Sequence, residues 1–213
     1  SDGNATTSGD VGYTADGLCG QSSTANGYAS GYGYVNKFPF AADADAVDVA
    51  NLDGAASGYG AGISSSFDGY VAGGGYNPGI TPIDKFPFAA DANATDVGDL
   101  SVARGFMSGQ NSSTHGYTSG GSTSNLNTMT DTIDKFPFVN HGTATDVGNL
   151  SVARGYTVAG QSSTTHGHAS AGRAMPGYAA SNVVDKFSFA GDGNATDVGD
   201  LTVARTTSSG QQY

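Results

Sequence analysis

Apolar side chains fall at every second position in short segments that recur along this chain. Leu100 and Val102 alternate with small or polar neighbours in the stretch Asp96 to Arg104, and Phe136 and Phe138 share a face opposite Lys135 and Pro137. A period of two is that of a strand, whose successive side chains point to opposite faces. No stretch sustains a 3.6-residue apolar period, so no helix is predicted. Turn formers separate the alternating segments, among them Asn111-Ser112-Ser113-Thr114 and Gly120-Gly121. One cassette therefore reads as a strand to Arg104, a second after Gly105, a third from His115, a variable loop Ser122 to Asp131, and a fourth strand ending at Phe138.

The cassette repeats. Asn36-Lys37-Phe38-Pro39-Phe40 returns as Asp84-Lys85-Phe86-Pro87-Phe88, Asp134-Lys135-Phe136-Pro137-Phe138 and Asp185-Lys186-Phe187-Ser188-Phe189, with lysine spacings of 48, 50 and 51. Four short strands per repeat of about 50 residues describe a propeller blade. The expected fold is an all-β propeller of four-stranded antiparallel blades, either about five blades or part of a larger propeller. The chain reads as one repeat array over 1–213, with approximate blades at 16–52, 57–102, 104–152 and 154–203 and partial repeats at 1–15 and 204–213. Ser1 to Thr6 matches Gly191 to Thr196, so the chain is expected to begin inside a repeat. Pro39, Pro87 and Pro137 are expected near an outer strand's end, where a missing N–H removes no ladder bond.

Composition sharpens this reading. All 19 acidic residues are aspartate, and 34 glycines accompany them. Aspartate and glycine build turns, whereas glutamate favours helix. The formal charge of −11 and the absence of a basic patch argue against nucleic acid and against an anionic membrane surface. No apolar run reaches the ~18 residues of a membrane span. Cys19 is the sole cysteine, which forbids an intrachain disulfide.

Three family resemblances follow from particular residues. Tyr117 before Gly120-Gly121, Tyr70 before Gly73-Gly74, and the strand-closing Arg104, Arg154 and Arg205 resemble the kelch repeat, which implies a β-propeller. The loop Asp91-Ala92-Asn93-Ala94-Thr95-Asp96-Val97-Gly98-Asp99 resembles that of FG-GAP propeller repeats, which implies calcium. Oxygen ligands at Asp91, Asn93 and Asp99, and again at Asp192, Asn194 and Asp200, would suit a hard cation that takes six to eight oxygens. The second and third copies lack the full set, and the competing reading is turn hydrogen bonding. The Gly/Ser/Asp-rich array also resembles proteins of marine bacteriophages.

Seven of the eight basic residues sit at repeat-fixed positions; Arg173 alone lies in a variable loop. The expected role is pairing, such as Lys85 or Arg104 with Asp96 or Asp99. His115 and His166 share a position filled elsewhere by Asn26 and Asp68, which reads as turn chemistry rather than metal binding. No nucleophile elbow or phosphate loop is present, and a paired-Glu glycosidase is excluded because the chain has no glutamate. A cross-linked cysteine–tyrosine copper site would need histidines near Cys19, and none precedes His115.

The framework segments repeat closely, while Gly75 to Thr81, Ser122 to Thr130 and Arg173 to Asn182 vary. Variable loops on a rigid scaffold are where binding is placed. The expectation is a non-catalytic structural or interaction module of an extracellular or virion assembly, with protein or glycan partners, no nucleic acid and no cofactor. The alternatives are a calcium-stabilised adhesion propeller and an oxidase-like enzyme.

Overall fold

The computed structural model describes residues 9–11, 15–54, 58–123, 128–156 and 158–210. Among them there is no helix, and no segment that could cross a membrane as one. Eighteen strands, all paired antiparallel, form four sheets in chain order. The first sheet holds β1 (Cys19–Ser22), β2 (Asn26–Gly31), β3 (Tyr34–Pro39) and β4 (Val47–Asn51). The second holds β5 (Ala61–Ser64), β6 (Asp68–Gly74), β7 (Ile80–Pro87) and β8 (Thr95–Asp99). The third holds β9 (Ser108–Asn111), β10 (His115–Ser119), β11 (Thr132–Pro137) and β12 (Thr145–Asn149). The fourth has β14 (Ala159–Ser162), β15 (His166–Ser170), β17 (Ala179–Ser188) and β18 (Thr196–Arg205), extended by the short pair β13 (Arg154–Gly155) and β16 (Arg173–Ala174). The all-β, propeller-like expectation holds at this level.

Two expectations need correction. The prolines end β3, β7 and β11, which lie inside their sheets, not at an outer edge. The pairing of β3 with β4 stops at Lys37 opposite Val47, so Pro39 lies beyond the last rung. Phe40 N–H points the other way, to Ala25 O at 3.0 Å, and Phe88 and Phe138 repeat this. The missing N–H therefore faces a side where the neighbouring strand has already ended.

The predicted strand through Leu100 and Val102 also stops early, for β8 ends at Asp99. Leu100 is buried while Val102 is exposed, because the chain turns there to carry Arg104 inward. Among the described strands, only β18 runs straight through to an exposed Arg205.

Neighbouring sheets meet through aromatic side chains. Tyr28 packs on Phe86 and Phe88 with ring centroids 5.4 and 4.9 Å apart. Tyr70 does the same on Phe136 and Phe138, and Tyr117 on Phe187 and Phe189. One face of each of the first three units thus offers a tyrosine and the opposite face of the next offers a pair of phenylalanines. The first strands approach closely enough that only glycine fits. A Cβ on Gly62, Gly109 or Gly160 would lie about 2.2–2.3 Å from the carbonyl oxygen of Gly20, Gly62 or Gly109.

Buried charge crosses the same seams. Arg104 reaches Asp134 at 3.0 Å and Arg154 reaches Asp185 at 2.9 Å, every partner fully buried. The partner is the aspartate that opens the next unit's Lys-Phe motif, not the expected Asp96 or Asp99. The lysines pair across the seam as well, Lys37 with Asp91 and Lys135 with Asp192 at 2.8 Å.

Candidate functional site

The residue two places before the first strand of each of the first three units opens the site. Gly17, Tyr59 and Phe106 stand there in successive units, with Tyr59 N–H donating to Gly17 O at 2.6 Å and Phe106 N–H to Tyr59 O at 2.7 Å. Tyr59, Phe106 and Tyr156 all have left-handed backbones, with φ of 58°, 59° and 60°. A bulky residue at such φ costs on the order of 1–3 kcal/mol, and such strain clusters at functional positions. Gly17 has no side chain, and the Tyr59 ring occupies the space a Cβ would fill there.

The rings form a continuous platform. Tyr59 stacks on Phe106 at 4.2 Å, and Phe106 meets Tyr156 at 5.1 Å. Tyr76 lies 6.0 Å from both Tyr59 and Phe106 and is itself exposed. Arg173 places its guanidinium 4.8 Å from the centre of the Tyr156 ring. Tyr76 and Arg173 come from the loops that join second to third strands, the segments read as variable. The chain order puts those loops at the same end of the sheets as the starts of the first strands. Arg173 is the basic residue that fell out of repeat register, and the platform is its location.

Electrostatics follow from the crowding of phenols. Burial, then a hydrogen bond with Tyr32, then the negative potential of Tyr32, Asp16 and Tyr76 raise the pKa of Tyr59. Burial and Tyr76 raise Tyr156 while the Arg173 charge pulls it down. Tyr59 and Tyr156 therefore stay protonated and offer phenolic groups beside one cation. Broad, rigid, amphipathic tyrosines with arginine are the side chains that dominate recognition surfaces.

At the opposite end the first strands and their turns enclose a cavity of about 830 Å³. Ser22, Ser64, Asn111 and Ser162 line it, with Phe38 and Phe40 on one wall and no charged side chain. Its polar groups largely serve the scaffold: Ser64 Oγ accepts from Ser22 N–H and Ser162 Oγ from Asn111 N–H.

The calcium candidates are dispersed. Asp91 and Asp192 are spent on Lys37 and Lys135. Asn93 and Asn194 accept from the backbone N–H groups of Asn51 and Asn149, tying one unit to the next. Asp99 accepts from Thr81 Oγ1 at 2.7 Å, and Asp200 sits on β18 opposite Val183. Because Thr95 to Asp99 is extended, Asp99 stands about 13 Å from Thr95 along β8 and does not close on Asn93 around one ion. Among the described residues, no group of three or more metal-ligating side chains gathers. His115 and His166 follow serine turns, their N–H groups donating to Ser112 and Ser163 Oγ at 3.0 Å.

Cys19 lies on β1, its thiol directed at Ser30 O and accepting from Gln21. Burial pushes its pKa up to about 12, with the Gln21 hydrogen bond opposing. Only the thiolate is the nucleophile, so alkylation of the folded protein at pH 8 is expected to run at least ~100-fold slower than in denaturant. Mass spectrometry of iodoacetamide-treated samples reads this directly; comparable rates would contradict the raised pKa of this half-buried thiol.

No ionisable cluster in the sequence marks the platform. A signal was present, a glycine followed by an aromatic at Gly58-Tyr59, Gly105-Phe106 and Gly155-Tyr156.

No protein-family model matches the chain. No curated protein matches it in sequence. Among solved structures it resembles YjhT, with a TM-score of 0.70 and 10% identity, over 87% of this chain and 65% of that one. At that identity the likeness concerns the fold alone, which it supports as propeller-like. The chain spans 65% of the length of YjhT.

Proposed function

We propose that this protein is a non-catalytic binding module: a kelch-like wheel, of about five blades or part of a larger ring, on an extracellular or virion assembly. It takes a protein or glycan partner on the face formed by Tyr59, Tyr76, Tyr156 and Arg173. One observation carries the reading. Strained aromatic residues from successive units and an out-of-register arginine from a variable loop converge on one end of the sheets. A scaffold that needed only rigidity gains nothing from an exposed Tyr76 or from a cation with no carboxylate partner among the described ion pairs.

The test is binding of wild-type protein and a Tyr76→Ala/Arg173→Ala variant to glycan arrays and to intact particles. At least a tenfold loss is expected, with only a modest fall in melting: Tyr76 is exposed, and half-buried Arg173 forfeits a cation–π contact worth about 0.5–2 kcal/mol. Attachment that survives both substitutions, or a wild-type protein that captures nothing, removes the proposal.

A further inference from the structure

The aromatic platform carries opposite charges at its two ends. Asp16 stands at one end. It directly precedes Gly17, whose carbonyl takes the Tyr59 N–H and whose missing Cβ leaves room for the Tyr59 ring. Asp16 is exposed and pairs with no cation among the described residues. Arg173 stands at the other end, over the Tyr156 ring. Its backbone is paired on both sides, to Gly155 and to Ala180, which fixes where the cation is held. Its Nε is buried with no acceptor, and no described carboxylate pairs with the guanidinium. Arg104 and Arg154, by contrast, are each neutralised by an aspartate.

Between the two charges runs a strip of rings. The steps from Tyr59 to Phe106, to Tyr156 and to the guanidinium are 4.2, 5.1 and 4.8 Å. They place the Tyr59 ring and the cation at most about 14 Å apart, the reach of about four residues of extended chain at about 3.3 Å each. Exposed rings border the strip. Tyr76 lies 6.0 Å from both Tyr59 and Phe106, and the Tyr32 ring covers Gly58 beside Tyr59. Rings presented in this way receive proline or aromatic side chains. The two signs favour a peptide over a glycan, because side chains supply both charges within one short segment, whereas the ionised groups of an acidic polysaccharide share one sign.

We propose that this face binds an extended segment of a partner protein in a fixed charge register. An acidic side chain meets Arg173, a basic side chain about four or five residues away meets Asp16, and proline or aromatic residues lie on the rings between them. The inference rests on the binding-module reading and names its partner. Electrostatic complementarity of this kind sets register and specificity more than raw affinity. Swapping a charge should therefore change what is bound rather than abolish binding.

The probe is a random peptide library displayed on phage and panned against the whole chain. Wild type is expected to enrich segments with an acidic and a basic residue about four or five positions apart, flanking proline or an aromatic. Arg173→Asp should exchange the selected acidic residue for a second basic one. Asp16→Lys, at an exposed position, should do the converse. A synthetic copy of the best wild-type segment should bind Arg173→Asp at least tenfold more weakly, and recover when its own acidic residue is changed to lysine. No enrichment, segments of a single sign on wild type, or selections that ignore both swaps would each overturn the proposal. Glycan capture that depends on Tyr76 and Arg173, with no peptide enriched, would overturn it too while leaving the binding face standing.

Discussion

Replacing Arg104 with methionine is expected to lower the melting temperature by roughly 6–20 °C. The guanidinium and Asp134 are both fully buried, with Arg104 also donating to Thr118 Oγ1 at 3.0 Å and Asp134 accepting from the N–H and hydroxyl of Ser101. Burial lowers the pKa of Arg104 and the Asp134 charge raises it again, which describes a cation held in a dry site by its counter-ion. Removing one member of a buried pair leaves the other uncompensated, at about 3–5 kcal/mol. In a chain of this size each kcal/mol moves melting by about 2–4 °C. The double change Arg104→Met with Asp134→Asn should restore at least half the loss. The first unit already has that form: Asn36 stands in the aspartate's place, and the sequence has no arginine before it. Asp84 is the informative exception, a buried carboxylate with no arginine upstream of it in the sequence. Its acceptors are filled by the N–H groups of Asp53 and Gly54, and burial raises its pKa. A shift below ~2 °C for Arg104→Met would dispose of the account.

Tyr70→Ala is the second large effect, expected at about 3–5 kcal/mol from the lost aromatic volume and the cavity left behind. The ring is fully buried between Ile63 and Ala72 of its own core cluster and the Phe136 and Phe138 rings of the next unit. Tyr70→Phe keeps that stacking and should cost under about 1 kcal/mol. The pair also separates by pH. Burial, then the charge of Asp68, push Tyr70 up to about 12. A raised folded value means that stability is complete below the unfolded pKa near 10 and is lost as pH climbs through about 12. The phenylalanine variant should lack that alkaline loss. Thermal melts at pH 8 and pH 11 measure both points, and equal melting of the alanine and phenylalanine variants would show that the seam is not built on this ring.

Much of the scaffold was legible because it depends on periods of two and about fifty, which a single sequence displays. Phe86 and Phe88 announce a strand by alternation alone. What they face is another matter, since Tyr28 lies 58 positions before Phe86 and nothing local couples them. The same holds for Arg104, whose nearest aspartates in sequence proved not to be its partner. Its backbone turns after Asp99, and that turn selects Asp134. The platform was harder still. Tyr59, Phe106 and Tyr156 adopt a left-handed backbone that propensity assigns to glycine or asparagine, so only the recurring glycine–aromatic pair marks them. Spacing alone does not place the candidate oxygens for calcium either. The oxygens of Asp91, Asn93 and Asp99 fit a loop on paper, but a strand pulls the last of them away.

The seam charges also bear on where the chain tolerates a break. Arg154 belongs to the connection between the third and fourth sheets, while its counter-ion Asp185 lies on the fourth. A chain that ended at that connection would keep Arg154 and lose Asp185, whereas an insertion in the exposed stretch 176–177 leaves both partners in one chain. Insertions, permuted termini and fusion partners belong in that loop, and a chain trimmed neatly at a sheet boundary would be the unstable one.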